Sequence, residues 1–407
     1  MIFTFFLLQE KTDKSFKKIC LSITKKNIKN EILYFKTPLF IEENDWDNEK
    51  QRPKNIYCKK YKELNYILNS IKIRISPLIK EGNRKKINAE IKKVIFYKEQ
   101  SYPEGSLLSM ISIYLGEKQH TVQLSTYRRY MVFMRLIENF EGFLARTIYI
   151  HDINSELIRS FNNFAKAELY SESTISRTCH FLKTILHFAE RKGLNTDIKN
   201  IALPKVKTPK KIIILNEQEI LKIKNTIVPP ELEDSKNWLL ISCYTGQRVS
   251  DFMRFNEKQL VKINGKTCIS FTQRKTQKEI TLPLHQTVLN VIKKYGNSFP
   301  KPIEIGIYNE NIKKIAALAG IESKVEAKKR IGYRSEDIRT EKWKIISSHI
   351  GRRSFASNFY GRIPTSLLIQ ATGHSSERMF LNYVNPINHE RITILGDYFD
   401  KVYTERG

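Results

Sequence analysis

His349-Ile350-Gly351-Arg352-Arg353-Ser354-Phe355-Ala356, followed by Thr372-Gly373-His374-Ser375-Ser376 and then Tyr383-Val384, is the stretch on which the reading of this chain turns. Ser347 or Ser348 offers a side-chain oxygen to open a helix. Phe355 and Phe359 then recur at i and i+4 as a core-facing stripe, with Arg352 pointing elsewhere. After Gly361 the chain restarts at Pro364. Leu367, Leu368 and Ile369 form a short helix that stops at Thr372-Gly373, and Ser375 and Ser376 cap a last helix carrying Met379, Phe380 and Tyr383. Taken singly these residues are ordinary: a histidine in a helix-helix turn is a polar surface group, and a tyrosine at i+4 from a methionine belongs to a core. Together, and with what lies upstream, they set out a chemistry.

Upstream, Gly246 breaks the apolar run Trp238-Leu239-Leu240-Ile241, so that Arg248 in Thr245-Gly246-Gln247-Arg248-Val249-Ser250-Asp251 falls near the start of the next helix. Free backbone N–H groups there also favour an anion, and Asp251, on the same face, can hold the guanidinium in place. Thr267–Thr272 and Ile280–Leu284 read as two strands flanking a polar turn that carries Arg274, Lys275 and Lys278. In order, Arg248, Lys275, His349, Arg352, His374 and Tyr383 make a phosphodiester-cleaving site with a tyrosine nucleophile. Transesterification must stabilise extra negative charge on the non-bridging oxygens, and fixed cationic donors do so without a metal. Arg248 and Arg352 suit this because a guanidinium fork matches two phosphate oxygens. Lys275, crowded by two arginines, should have a depressed pKa and give its proton to the leaving 5′ oxygen. Attack by Tyr383 would leave a 3′-phosphotyrosine bond, so rejoining needs no nucleotide cofactor.

The set resembles the tyrosine recombinases, the phage-type integrases, from about Leu215 to about Tyr398 and more weakly elsewhere. The resemblance implies a multidomain, mainly helical chain with small antiparallel sheets, in which a helical, SAM-like core-binding domain accompanies an α+β catalytic domain. It implies that Asp251 supports Arg248 and that His349 and His374 hydrogen-bond the scissile phosphate. The family places its catalytic lysine just before the hairpin turn, and register on Pro283 selects Lys275 over Lys278. Where this chain has Gly351 the family more often has a larger apolar residue, a departure that bears on packing more than on charge. The implied function is site-specific recombination in integration or excision of a mobile element, with a DNA invertase for phase variation as the alternative. A type IB topoisomerase or a non-catalytic DNA-binding regulator are further readings; the arm-like first domain and the His374 context argue against the former, the unbroken catalytic set against the latter. The family works as a homotetramer on two duplexes, with directionality or host architectural factors as further partners. It exchanges C-terminal segments, and the tail from Asn385 to Gly407, with Tyr398, Phe399 and Val402 as docking residues, is long enough to do so.

Composition agrees. The chain has 407 residues, with 70 Lys+Arg against 42 Asp+Glu and a formal charge of +28. The expected partner is a polyanion, best double-stranded DNA, bound with strong salt dependence. A membrane surface is disfavoured because Lys17-Lys18, Lys25-Lys26 and Lys210-Lys211 are short runs without a long amphipathic helix. The run Ile2–Leu8 is too short to span a bilayer and reads as a strand. Five dispersed cysteines and eight histidines show no zinc or disulfide spacing. No acidic pair suited to two magnesium ions is evident, and a reducing bacterial cytoplasm is the natural setting.

The texture of the chain changes twice. Residues 1–100 combine β-like runs at Cys20–Thr24 and Ile32–Phe35, the segment Asn44-Asp45-Trp46-Asp47, and a helical stretch with Leu64, Ile67, Leu68, Ile71 and Ile75. They resemble the arm-binding domain of integrases from mobile elements of the Bacteroides group; a small accessory sheet with no DNA role is the alternative. Residues 101–204 read as all helical. Ser173 precedes a helix with Ile175, Cys179, Leu182, Leu186 and Ala189 in one stripe and Arg177 and Lys183 off it. By itself Ser173–Arg177 reads as a helix-turn-helix recognition helix; the resemblance assigns it to the core-binding domain. Tyr127, Arg128, Arg129 and Tyr130 read as a basic-aromatic patch for phosphate contacts, with Arg353 a further backbone contact. Pro204–Lys211, rich in lysine and proline, is an extended connector or an exposed loop leading into a catalytic domain over 205–407.

Overall fold

The computed structural model describes residues 2–8, 15–25, 31–56, 58–79, 83–96, 102–203, 212–331, 334–384 and 396. The chain divides into two compact units, Met1–Lys207 with Arg330–Glu336, and Thr208–Lys329 with Asp337–Gly407. Pro204–Lys211, and Tyr398, Phe399 and Val402 of the tail, lie outside the described residues.

In the first unit β1 (Ile2–Leu8), β2 (Phe16–Lys25) and β3 (Glu31–Glu42) form an antiparallel sheet in the order β1-β2-β3. Side chains alternate across a strand, so Ile19, Leu21 and Ile23 share one face of β2 and meet Phe5 and Phe35 there, all fully or nearly fully buried. A short pair, β4 (Trp46–Asp47) and β5 (Arg52–Pro53), buries Trp46 opposite Pro53. Helix α1 (Lys59–Ile75) turns Leu68, Ile71 and Ile75 onto this core, and α2 (Arg84–Phe96) adds Ile87, Ile91 and Val94.

A second apolar core in the same unit is enclosed by α3 (Leu107–Lys118), α4 (Leu124–Leu144), α5 (Ser155–Ala167) and α6 (Glu172–Arg191). The expected stripe of α6 is buried in full. Its start lies upstream of the expected Ser173, because the Ser171 hydroxyl accepts from the Thr174 amide and Ser173 sits inside the first turn. The basic-aromatic patch on α4 separates into two parts. Arg128 and Arg129 are exposed, but Tyr130 stacks on Phe181 with ring centroids 5.0 Å apart, so that aromatic serves the core. The α1–α4 contact is polar: Asn65 and Asn69 both donate to Asn139 Oδ1, at 2.9 and 3.2 Å.

The second unit is built round α8 (Pro230–Thr245), which follows α7 (Glu217–Asn225). Trp238, Leu239, Leu240, Ile241 and Cys243 are buried, as are Ser235, Asn237, Ser242 and Thr245, so α8 is covered on every side as a central helix must be. It ends at Gly246 in the left-handed conformation, φ 67°. A Cβ there would stand 2.5 Å from the Phe355 ring, so the chain reversal requires glycine on two counts. The short α9 (Val249–Phe252) follows at once, then β6 (Leu260–Ile263), β7 (Lys266–Thr272) and β8 (Glu279–Pro283) in an antiparallel sheet of that order. Pairing of Thr272 with Glu279 leaves Gln273–Lys278 as the hairpin loop.

Next come α10 (Gln286–Lys294), α11 (Ile305–Leu318) and the pair β9 (Lys324–Ile331) and β10 (Arg334–Glu341). The unit closes with α12 (Ile350–Phe359), α13 (Thr365–Thr372) and α14 (Glu377–Leu381). α12 packs closely on α8 at Gly351, where a Cβ would overlap the Ser242 side chain and lie 2.8 Å from the Ser242 carbonyl carbon. A larger residue has no room there, which gives the departure at Gly351 its physical basis. No helix among the described residues is long and apolar enough to cross a membrane, and Ile2–Leu8 is strand β1.

Candidate active site

The second unit brings together the ends of four of its helices and one hairpin loop. Arg248 is the N-cap residue of α9 and half-buried. His349 is the N-cap residue of α12 and makes no side-chain cap; neither Ser347 nor Ser348 caps that helix. Arg352, in the first turn of α12, is completely buried. His374 follows the left-handed Gly373 that ends α13. Tyr383 lies beyond α14 rather than within it. The helix stops at Leu381 and an i to i−3 turn continues, the Tyr383 amide donating to the Phe380 carbonyl at 2.8 Å.

These side chains converge on Tyr383. Ring centroids of His374 and His349 lie 4.8 and 5.3 Å from its ring, and the Arg352 guanidinium carbon lies over it at 5.4 Å. Arg352 is held by three acceptors: the carbonyls of Gly246 (2.9 Å) and Thr372 (2.8 Å), and His374 Nε2 (2.9 Å). The tautomer of His374 follows. Thr372 Oγ1 donates to the Leu368 carbonyl at 2.6 Å, so it accepts at 2.8 Å from His374 Nδ1–H, and Nε2 keeps the lone pair that takes the Arg352 proton. His374 is thus neutral and braces the arginine. The ring of His349 makes no hydrogen bond to a described residue.

Burial, followed by the charges of Arg352 and Arg248, lowers His374 to about 3. Burial and then Arg353, Arg352, Arg248 and Lys275 lower His349 to about 4. Burial and Arg248 lower Arg352 to about 10, which leaves it cationic at neutral pH. Both histidines therefore favour the neutral form in the fold relative to an ordinary value of 6.5. Below about pH 6.5 the unfolded chain binds more protons than the native one, so stability falls with pH until it levels off near the folded values. The urea midpoint of the wild-type chain is expected to drop between about pH 7 and about pH 5, and to drop less in His374→Gln. Equal midpoints at both pH values would contradict neutral rings in the fold.

Lys275 is exposed at the tip of the hairpin loop, and its charge reaches His349. Lys278 is tethered, its Nζ donating to the His374 carbonyl at 3.2 Å. Asp251 is buried but does not grip Arg248. One carboxylate oxygen accepts from the Arg274 amide at 2.9 Å and lies 3.6 Å from Arg254, so Asp251 secures the base of the hairpin. Arg248 Nη1 instead donates to Gln273 Oε1 at 3.1 Å. Sequence reasoning missed Gln273, Gln247 and Thr372. A glutamine has no charge or spacing signature, and only the fold shows that these two are fully buried. Arg353 is half-buried within the field of Tyr383. Arg128, Arg129, Arg177 and Lys183 belong to the first unit; all but the half-buried Lys183 are exposed.

Residues 214–390 match the phage integrase family, and residues 106–200 match the phage integrase SAM-like domain. The chain belongs to the phage integrase family of tyrosine recombinases. It is an enzyme of site-specific DNA recombination. Among solved structures, a lambda integrase (75–356) dimer bound to a COC′ core site superposes with TM-score 0.52 at 17% identity, over 68% of this chain and 95% of that one. The Tn1549 transposon integrase in complex with a circular intermediate DNA gives 0.53 at 15% identity, over 72% and 100%. The XerH recombinase in a post-cleavage complex gives 0.51 at 15%, over 79% and 91%. At these identities the likeness establishes a shared fold. No curated protein matches by sequence.

Proposed function

We propose that this recombinase cleaves DNA through Tyr383, whose hydroxyl attacks the scissile phosphorus, forming a 3′-phosphotyrosine bond as the bond to the 5′ oxygen breaks. The observation that carries the reading is the convergence of Arg352, His374 and His349 on the Tyr383 ring. Arg248 and Arg352 stabilise charge on the non-bridging oxygens, His374 braces Arg352, and His349, whose ring packs on Tyr383 and makes no hydrogen bond to a described residue, faces the phosphate. Asp251 supports the site through the hairpin. Arg353 and, in the first unit, Arg128, Arg129, Arg177 and Lys183 bind the phosphate backbone. The domains follow 1–100, 101–204 and 205–407, the first acting on arm sites. The chain works as a tetramer on two DNA sites, in the cytoplasm, and integrates or excises a mobile element. The transposon integrase among its structural neighbours favours this over an invertase. A nicked suicide duplex carrying the recombination site is expected to trap a protein–DNA adduct without metal or ATP; absence of any adduct on bound DNA would defeat the proposal.

Lys275 donates the proton to the leaving 5′ oxygen. Its exposed position at the loop tip supports this, as does the tether that occupies Lys278. Lys275→Ala is expected to slow cleavage of ordinary DNA by about 10²-fold or more. On a 5′-bridging phosphorothiolate, whose sulfur leaves unprotonated, the rate should be largely restored. Rescue of Lys278→Ala in place of Lys275→Ala would move the acid to that residue.

A further inference from the structure

Gln273 lies at the end of β7, where the hairpin leaves the sheet, and has no exposure to solvent. Its side-chain amide has a full set of partners. Oε1 accepts from Arg248 Nη1 at 3.1 Å and from Thr276 Oγ1 at 2.6 Å. Nε2 donates to Gln247 Oε1 at 3.1 Å and to the Thr372 carbonyl at 3.0 Å. The orientation of the amide is dictated by these partners. A guanidinium only donates, so it faces the oxygen; a backbone carbonyl only accepts, so it faces the nitrogen. Gln247 is set by the same logic, its Nε2 donating to the carbonyls of Thr245 (2.9 Å) and Ala371 (2.8 Å), which leaves its oxygen for Gln273.

The Thr372 carbonyl is the junction. It accepts from Gln273 Nε2 and also from Arg352 Nη2. A continuous path of hydrogen bonds therefore runs from Arg248 through the Gln273 amide and the Thr372 carbonyl to Arg352. The adjoining backbone is shaped around it. Gly373 sits at φ 70°, and a Cβ there would stand 2.5 Å from Gln273 Oε1.

We infer that Gln273 is a positioning residue that sets Arg248 in register with Arg352, so that the two guanidiniums present one pre-formed clamp to a single phosphate. The inference rests on the proposed clamp roles of those arginines. Arg248 is half-buried at the mouth of a helix, and a long side chain there has many rotamers; a buried acceptor with no freedom of its own selects one of them. The two arginines also repel one another, as the lowering of Arg352 by Arg248 shows, and a neutral amide holds them close without cancelling the charge that the phosphate needs. An acidic residue in the same place would hold Arg248 as well but would oppose the anion.

The test is a double-substitution cycle in the full chain. The probe is a nicked suicide duplex carrying the site recovered from random duplexes by binding to the wild-type protein. Gln273→Ala should bind it as the wild type does and cleave it about 10- to 100-fold more slowly, the scale of loss when the hydrogen-bonded partner that orients a metal ligand is removed. Gln273→Met, which fills the same space without hydrogen-bonding capacity of that kind, should show the same loss of cleavage in a chain that still folds and binds DNA at the assay temperature, with an unfolding midpoint lowered by the buried groups it leaves unpaired. The double variant Arg248→Ala/Gln273→Ala should be no slower than Arg248→Ala alone, because the amide acts through that arginine. A double variant slower by the full Gln273→Ala factor, or wild-type cleavage by Gln273→Met, would overturn the inference. Wild-type cleavage by Arg248→Ala would instead overturn the clamp reading beneath it.

Discussion

Tyr383→Phe is expected to abolish the covalent adduct on a suicide duplex while leaving DNA binding intact. The tyrosine ring is half-buried, packed against His374 and His349 and under the Arg352 guanidinium. Phenylalanine keeps those ring contacts and the local turn, so the substitution removes one oxygen and little else. Cleavage should fall by at least roughly 10⁴-fold, the scale of loss when a covalent nucleophile is deleted. Denaturing gels report the adduct and mobility shifts report binding on the same DNA. An undiminished adduct would place the nucleophile elsewhere.

Arg352→Ala should slow cleavage by about 10²- to 10³-fold, with a much smaller change in DNA affinity. Backbone affinity is spread over many lysines and arginines in a chain of net charge +28, whereas charge developing in the transition state is met by the few groups around one phosphorus. Arg352 also has a structural duty. Its removal leaves the Gly246 carbonyl and His374 Nε2 without a donor in a buried place, at about 1–3 kcal/mol for each, while the Thr372 carbonyl keeps its bond from Gln273. Unfolding midpoints must therefore be read beside the rates. Arg352→Lys, which keeps charge but loses the fork, should fall between alanine and wild type in rate. Loss of affinity and of rate in equal measure would mean that the arginine only holds the DNA backbone.

Much of this is legible in the sequence. The alternation along β2, the stripe of α6, the hairpin around Gln273–Lys278 and the helix break at Gly246 follow from local periodicity and from backbone preferences that neighbouring residues express by themselves. The charged and aromatic residues of the candidate site stood out too, because their types and order carry chemistry, and the fold brings Arg352, His349 and His374 to the Tyr383 ring. Errors arose where a local signal had two competing outlets. Ser171 and Ser173 both suit a cap, and it is the Ser171 hydroxyl that takes the Thr174 amide. Tyr130 sits among arginines in sequence, but its ring finds Phe181 across the bundle.

By itself the sequence determined the family, most of the elements, the strongly basic charge balance and the six residues proposed to cut a phosphodiester. Only the tertiary structure decided how those residues are held. It assigned Asp251 to the hairpin backbone rather than to Arg248, set the tautomer of His374 against Arg352, and drew Gln273, Gln247 and Thr372 into the site. The physical reason is that a buried polar group must find a partner wherever the chain brings one within reach. Those partners come from segments far apart in sequence, so neither periodicity nor motif spacing can name them.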